Sequence, residues 1–320
     1  MTGIPDRLLH RLEWQVLHRV EGRLQGAHRT TARGPGLDFA GIRAYAEGGD
    51  ARHIDWNVTA RMAEPYVREF LQERDLTVWL LLDTSASMRA GMPGRGKSDV
   101  ATALAIALAR LFGRGGDRVG AVLYGAGATR IVPPGTGRGH ALRIGSELER
   151  AAATVTAPGR PRGARRNGTT TDLAEMLGAA APLATRRSLI VVVSDFIGTG
   201  DWQRPLLRLA HRHDVVALHV VDAVDEQLPA AGPIVVEDAE TGEQLLVDSA
   251  DPLFRARLRA GVEAREAALL SGARRAGVPV HRVDTGGDLV ETLVEVITRT
   301  HEGRARSGRS PGGHARGGHA

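Results

Sequence analysis

The chain has 320 residues, with 42 Lys and Arg against 37 Asp and Glu, no Cys, and 42% hydrophobic residues. That length exceeds the usual ~100–200 residues of one domain, so one large domain with additions is expected, and the missing Cys excludes disulfides and thiolate metal sites. The net charge of +5 falls to about +1 once Arg304, Arg306, Arg309 and Arg316 are set aside, too little for a nucleic-acid footprint.

Hydrophobic periodicity predicts the elements in chain order. Residues 5–25 read as an amphipathic helix with Leu8, Leu9, Leu12, Val16, Val20 and Leu24 on one face. Residues 28–76 mix glycine turns with strand-like pieces at 41–45 and 65–71. A strand is expected at 77–83 and a helix at 98–112, followed by strands at 119–124 and 129–132 paired around Gly125-Ala-Gly127. Helices near 139–153 and 171–184 precede a strand at 188–194, then a helix at 202–212 and a strand at 215–221. Short apolar pieces at 234–236 and 245–247 read as an inserted hairpin, and a helix at 252–276, a strand at 278–283 and a helix at 287–300 follow. Alternating strands and helices make an α/β fold, a doubly wound and mainly parallel sheet with helices on both faces. The expected division is 1–76, an amino-terminal helix and small β-rich segment, then 77–302, the α/β domain with its hairpin near 230–248. A Gly/Arg/His tail at 303–320 lacks apolar periodicity and is expected to be disordered. No apolar run approaches the ~20 residues of a membrane span. The amino terminus lacks the charged and apolar regions of a signal peptide, so a cytoplasmic protein is expected.

The chemistry concentrates where the first long strand stops. Val78-Trp-Leu-Leu-Leu-Asp83-Thr-Ser85-Ala-Ser87 is an apolar run that ends in an acid and two hydroxyls at alternate positions. Open α/β sheets place ligand sites at the carboxyl ends of such strands. Asp83, Ser85 and Ser87 offer only hard oxygen donors, which suit Mg²⁺, Mn²⁺ or Ca²⁺. Two further acid or hydroxyl positions lie where the fold would bring partners. Thr171 stands at the start of one helical pattern, and the strand Ser188-Leu-Ile-Val-Val-Val-Ser194 ends in Asp195. All five residues are expected to converge on one cation, with a partner carboxylate replacing a water in its shell.

That constellation resembles the metal-ion-dependent adhesion site of von Willebrand factor A domains, with its Asp-x-Ser-x-Ser, Thr and Asp elements. The preceding stretches Gly36-Leu-Asp38-Phe39-Ala-Gly-Ile-Arg43-Ala-Tyr45, Gly48-Gly-Asp50-Ala-Arg52-His-Ile54-Asp55-Trp56 and Ala60-Arg61 narrow the match. They resemble the signature of the bacterial domain-of-unknown-function fifty-eight family, in which an A-like domain follows such a segment. The chain departs from the family pattern at Glu47-Gly48-Gly49-Asp50, usually Pro-Gly-Asp-Asp, and at Asp38, usually Glu. The resemblance implies a von Willebrand A-like fold and a bound Mg²⁺. It also implies a non-enzymatic protein-interaction role beside a MoxR-type AAA+ ATPase, in chaperone-like assembly of a protein complex.

Other readings of the same residues compete. Gly91-Met-Pro-Gly-Arg-Gly96-Lys97-Ser98 matches a phosphate-binding loop, yet the apolar strand stops at Leu82 and Pro93 lacks an N–H for the cradle. A metal-dependent phosphohydrolase would want Asp rather than Ser at position 85. Asp83, Ser87, Thr171 and Asp172 can each cap a helix start. Arg43, Arg52, Asp55, Trp56 and Arg61 read as a structural ion-pair and packing cluster, and His211 and His213 as helix-end residues. Arg160, Arg162, Arg165 and Arg166 crowd the loop before Thr171, a cationic rim suited to steering an acidic partner segment.

Overall fold

A computed structural model describes residues 33–34, 38–44, 56–61, 65–71, 76–89, 96–114, 116–125, 128–153, 172–198, 200–239 and 242–307. These fall into two units, one drawn from residues 20–75 and 297–320 and the other spanning Leu76–Val296. The expected helix at 5–25 and the arginine-rich loop at 160–166 lie outside the described residues.

In the first unit, β1 (Arg33–Gly34), β2 (Asp38–Ala44), α1 (Trp56–Thr59) and β3 (Tyr66–Leu71) follow one another. The strands form an antiparallel sheet in the order β1-β3-β2, with a register shift between Phe39 and Gly41. The Thr59 hydroxyl accepts the Tyr66 N–H at 3.0 Å and ties the one-turn α1 to the start of β3. Arg52 and Asp55 of the expected packing cluster lie outside the described residues, and Trp56 does not pack as expected. It stands at the first position of that single turn and is 70% exposed.

The second unit opens with β4 (Thr77–Asp83), α2 (Ala86–Arg89) and α3 (Lys97–Arg114). The hairpin β5 (Arg118–Gly125) and β6 (Ala128–Gly135) leads to α4 (Gly137–Ala153) and α5 (Leu173–Ala180). Then come β7 (Leu189–Ser194), α6 (Gln203–Arg212), β8 (Asp214–Val221) and α7 (Ala223–Glu226). The inserted hairpin β9 (Pro233–Glu237) and β10 (Gln244–Asp248) precedes α8 (Pro252–Ala276), β11 (Val280–Asp284) and α9 (Leu289–Ser307), whose residues from Ile297 onward belong to the first unit. Helix α9 continues to Ser307 and so runs into the stretch at 303–320 expected to be disordered; residues 308–320 lie outside the described set.

Six strands form one sheet in the order β11-β8-β7-β4-β5-β6, parallel except for β6 against β5. The central strands are buried on both faces, which is why they read as continuous apolar runs rather than alternations. Trp79, Leu81, Ile190 and Val192 pack against Leu173, Met176 and Leu177 of α5 and Leu206 and Leu209 of α6. Val78, Leu80 and Leu82 point to the opposite face, where α3 packs with a fully buried side of Leu104, Ala105 and Leu108. Asp172 caps α5 by accepting the N–H groups of Ala174 at 2.8 Å and Glu175 at 3.2 Å.

The order places one feature that matters for function. From β4 the chain moves outward to β5, and from β7 it moves the other way to β8. The crevice between the carboxyl ends of β4 and β7 is therefore the switch point at which open sheets bind their ligands.

Candidate metal centre

Strand register sets the site. Leu82 pairs with Val193, which brings Asp83 alongside Ser194 at the ends of β4 and β7. The Ser194 hydroxyl donates to Asp83 Oδ2 at 2.6 Å, and Asp83 Oδ1 accepts the Ser85 N–H at 2.9 Å. The chain turns sharply at that second bond, so Ser85 and Ser87 stand on the same side of the loop, their Oγ atoms 2.9 Å apart. Thr84 anchors the loop to β5 through its N–H and hydroxyl, both donated to the Tyr124 carbonyl at 2.8 and 3.0 Å. Arg89 of α2 closes it by donating to the Thr84 carbonyl.

Asp195 faces this loop from β7. Its Oδ1 accepts the Ile197 N–H at 3.0 Å, and its Oδ2 accepts Lys97 Nζ at 2.8 Å. The same ammonium donates to Asp225 Oδ2 at 2.6 Å. Asp83, Ser85, Ser87, Lys97 and Asp195 are all buried. Burial pushes the Asp83 carboxyl up to about 6, the charge of Asp195 pushes it the same way, and hydrogen bonds from Ser194 and Ser85 oppose both. Burial works to lower the Lys97 pKa, but Asp195 and Asp225 outweigh it and hold the ammonium above its ordinary value.

These residues suit a hard divalent cation. No group of three or more His, Cys, Asp or Glu among the described residues is placed to hold a metal ion. An ion here would rest on hydroxyls and carboxylates together, the donor set that Mg²⁺ and Mn²⁺ accept. Ligands at right angles around such an ion at about 2.1 Å lie about 3.0 Å apart, and the Ser85 and Ser87 oxygens are 2.9 Å apart. The raised Asp83 pKa comes first from burial and second from the charge of Asp195, and a cation bound beside the carboxylate would lower it.

Of the five residues expected to meet, the structure brings together Asp83, Ser85, Ser87 and Asp195, while Thr171 lies outside the described residues. Its neighbour Asp172 is occupied as a helix cap. The phosphate-loop match fails on chemistry. Residues 91–95 lie outside the described set, and the Lys97 ammonium that would meet phosphate is buried against two carboxylates. Sequence reasoning missed Ser194 and Asp225 as site residues, and it placed Lys97 in the wrong context. The one signal that could have found Lys97 is that it is the sole lysine of the chain.

Residues 41–268 match the family model described as "Protein of unknown function DUF58". The chain is 35% identical over 295 residues, 92% of its length and 89% of theirs, to uncharacterized proteins of Mycobacterium tuberculosis and Mycobacterium bovis. An uncharacterized Mycobacterium avium protein is 33% identical over 151 residues, 47% of this chain and 85% of that one. Among solved structures, similar chains include an aerotolerance-related membrane protein from Bacteroides fragilis. It is 18% identical with a TM-score of 0.37, over 70% of this chain and 97% of that one. The SpRpn10 VWA domain is 14% identical with a TM-score of 0.35, over 70% and 95% of the two chains.

Proposed function

We propose, for a chain that belongs to the DUF58 family, that it is a non-enzymatic, metal-dependent protein-interaction module. The observation that carries this reading is the pair of hydroxyls at 2.9 Å beside the buried Asp83, opposite Asp195 across the switch point. Asp83, Ser85 and Ser87 would hold Mg²⁺ or Mn²⁺, with Asp195 across the crevice and Thr171 as a further donor. When bound, the ion supplies a coordination position that an Asp or Glu of a protein partner fills.

What the chain's own residues do is hold that position still. Ser194 and the Ser85 N–H fix the Asp83 carboxylate, and the Ile197 N–H with Lys97 fixes Asp195. The Ser85 and Ser87 hydroxyls bond to each other and the Ser194 hydroxyl bonds to Asp83, an arrangement that supports the holding of an ion. The partner in this reading is a MoxR-type AAA+ ATPase together with an acidic client segment, and the setting is cytoplasmic assembly or maturation of a protein complex. No helix among the described residues is long and apolar enough to cross a membrane.

Calorimetric titration of the full chain with Mg²⁺ and Mn²⁺ tests the reading. The wild type should take up one ion, and Asp83→Ala should take up none while keeping its circular dichroism spectrum. Equal uptake by both proteins would sink it.

A further inference from the structure

Lys97 is the only lysine in the chain, every other Lys/Arg-class cation being arginine. It occupies the first position of α3, and its side chain is 1% exposed. Its ammonium lies 2.8 Å from Asp195 Oδ2 and 2.6 Å from Asp225 Oδ2, joining the start of α3 to the end of β7 and to α7. A fully buried lysine is rare unless paired, and here a compact ammonium reaches two carboxylates from one point. An arginine fork is planar and larger, and could not substitute without displacing one of them.

The charges of this cluster follow a simple account. Asp83, Asp195 and Asp225 bring three negative charges to the cluster and Lys97 one positive charge, a balance of two negative charges that one divalent ion neutralises. Without Lys97 the same ion would leave the filled site negative, and an incoming carboxylate would be repelled.

We propose that Lys97 is a resident cation of the metal centre, a positioning residue that holds Asp195 and sets the site's charge to that of one divalent ion. The inference rests on the metal-site reading above. Lys97 thereby weakens the ion's binding and keeps the filled site neutral toward an acidic partner. A lysine with a merely structural role would act differently, since its loss would weaken folding and metal binding together.

The test is calorimetric titration of Mn²⁺ into the full-length wild type, Lys97→Met and Asp225→Asn, with thermal unfolding in chelator and in Mn²⁺. Lys97→Met should bind Mn²⁺ about tenfold or more tightly than the wild type, because a repelling charge beside the ion is gone. Its thermal midpoint should fall in chelator and recover in Mn²⁺. Asp225→Asn removes a negative charge from a carboxylate whose side chain is 33% exposed, and should bind Mn²⁺ several-fold more weakly. Lys97→Met binding no tighter than wild type, or Asp225→Asn binding as tightly or more so, overturns the inference while leaving the metal site intact. If Lys97→Met does not fold, Asp225→Asn decides alone by the same criterion. A wild type that takes up no Mn²⁺ overturns the metal-site reading itself, and this inference with it.

Discussion

Phe196 follows Asp195 directly and has a φ of +52°, in the left-handed region where a side chain costs about 1–2 kcal/mol. Local bonds hold it there. Its N–H donates to Ser194 Oγ at 2.9 Å, the hydroxyl that itself donates to Asp83, and its ring packs edge-on against Trp202 and His219 at 6.1 and 6.0 Å. Backbone strain beside a site carboxylate is thus stabilised by packing on the far side. Replacing the ring separates the two effects. Phe196→Gly should unfold in denaturant at about 1 kcal/mol higher stability than Phe196→Ala, because both lose the ring but only glycine relieves φ. Gly125 is constrained differently. A β-carbon there would lie 2.5 Å from Thr84 Oγ1 and 2.6 Å from the Thr84 carbonyl. Gly125→Ala should therefore push the metal loop off β5 and weaken Mn²⁺ uptake in the same titration, with unchanged affinity counting against the loop anchoring described here. At this scale the sequence revealed the strand-end acids Asp83 and Asp195 and the hydroxyls Ser85 and Ser87, because a polar residue that halts an apolar run stands out locally. Ser194, Lys97 and Asp225 acquire their roles only from neighbours far along the chain, separated by 98 residues for the Lys97–Asp195 pair and 128 for Lys97–Asp225.

The long strands and helices of the second unit lie within a few residues of where periodicity put them, since each buries a continuous face. Leu81 of β4 is fully buried in the layer shared with α5 and α6, so Leu81→Ala should lower unfolding free energy by about 2–5 kcal/mol in a denaturant titration. Helix α8 ends at Gly277, whose φ of +68° and N–H to the Arg274 carbonyl make it a left-handed cap. Periodicity was less able to find short elements. The one-turn α2 and α7 span too few residues to show a helical period, yet α7 carries Asp225, one of the two partners of Lys97. Helix α5 is also shorter than the expected 171–184, because Asp172 caps it and residues 181–183 form a turn after Ala180.

The whole sheet explains why two distant acids share one crevice. Alternating elements implied a parallel sheet, but strand order is a tertiary property, and only the order β7-β4-β5 makes the β4–β7 gap the switch point. Two histidines make the molecule sensitive to acid. Burial lowers the pKa of His213, with Arg212 and Arg187 acting the same way against Asp214. Burial also lowers that of His219, with Arg282 against Asp195 and Glu266. A histidine whose folded pKa is depressed takes up a proton on unfolding, so stability is present above about 6.5 and is lost as pH falls below it, by at most about 1.4 kcal/mol per pH unit for each group. Asp83 works in the opposite direction, since its folded pKa is raised, but chiefly between its ordinary value and about 6. The thermal midpoint in chelator should therefore fall between pH 7.5 and 6, and a rise over that interval would contradict the histidine account. The central claim is that Asp83, Ser85 and Ser87 hold a divalent ion opposite Asp195. Anomalous diffraction from crystals grown in Mn²⁺ tests it most directly. The account predicts one Mn²⁺ peak within about 2.3 Å of both the Ser85 and Ser87 hydroxyls. A difference map with no peak between these loops, or with Mn²⁺ bound only elsewhere on the chain, would contradict it.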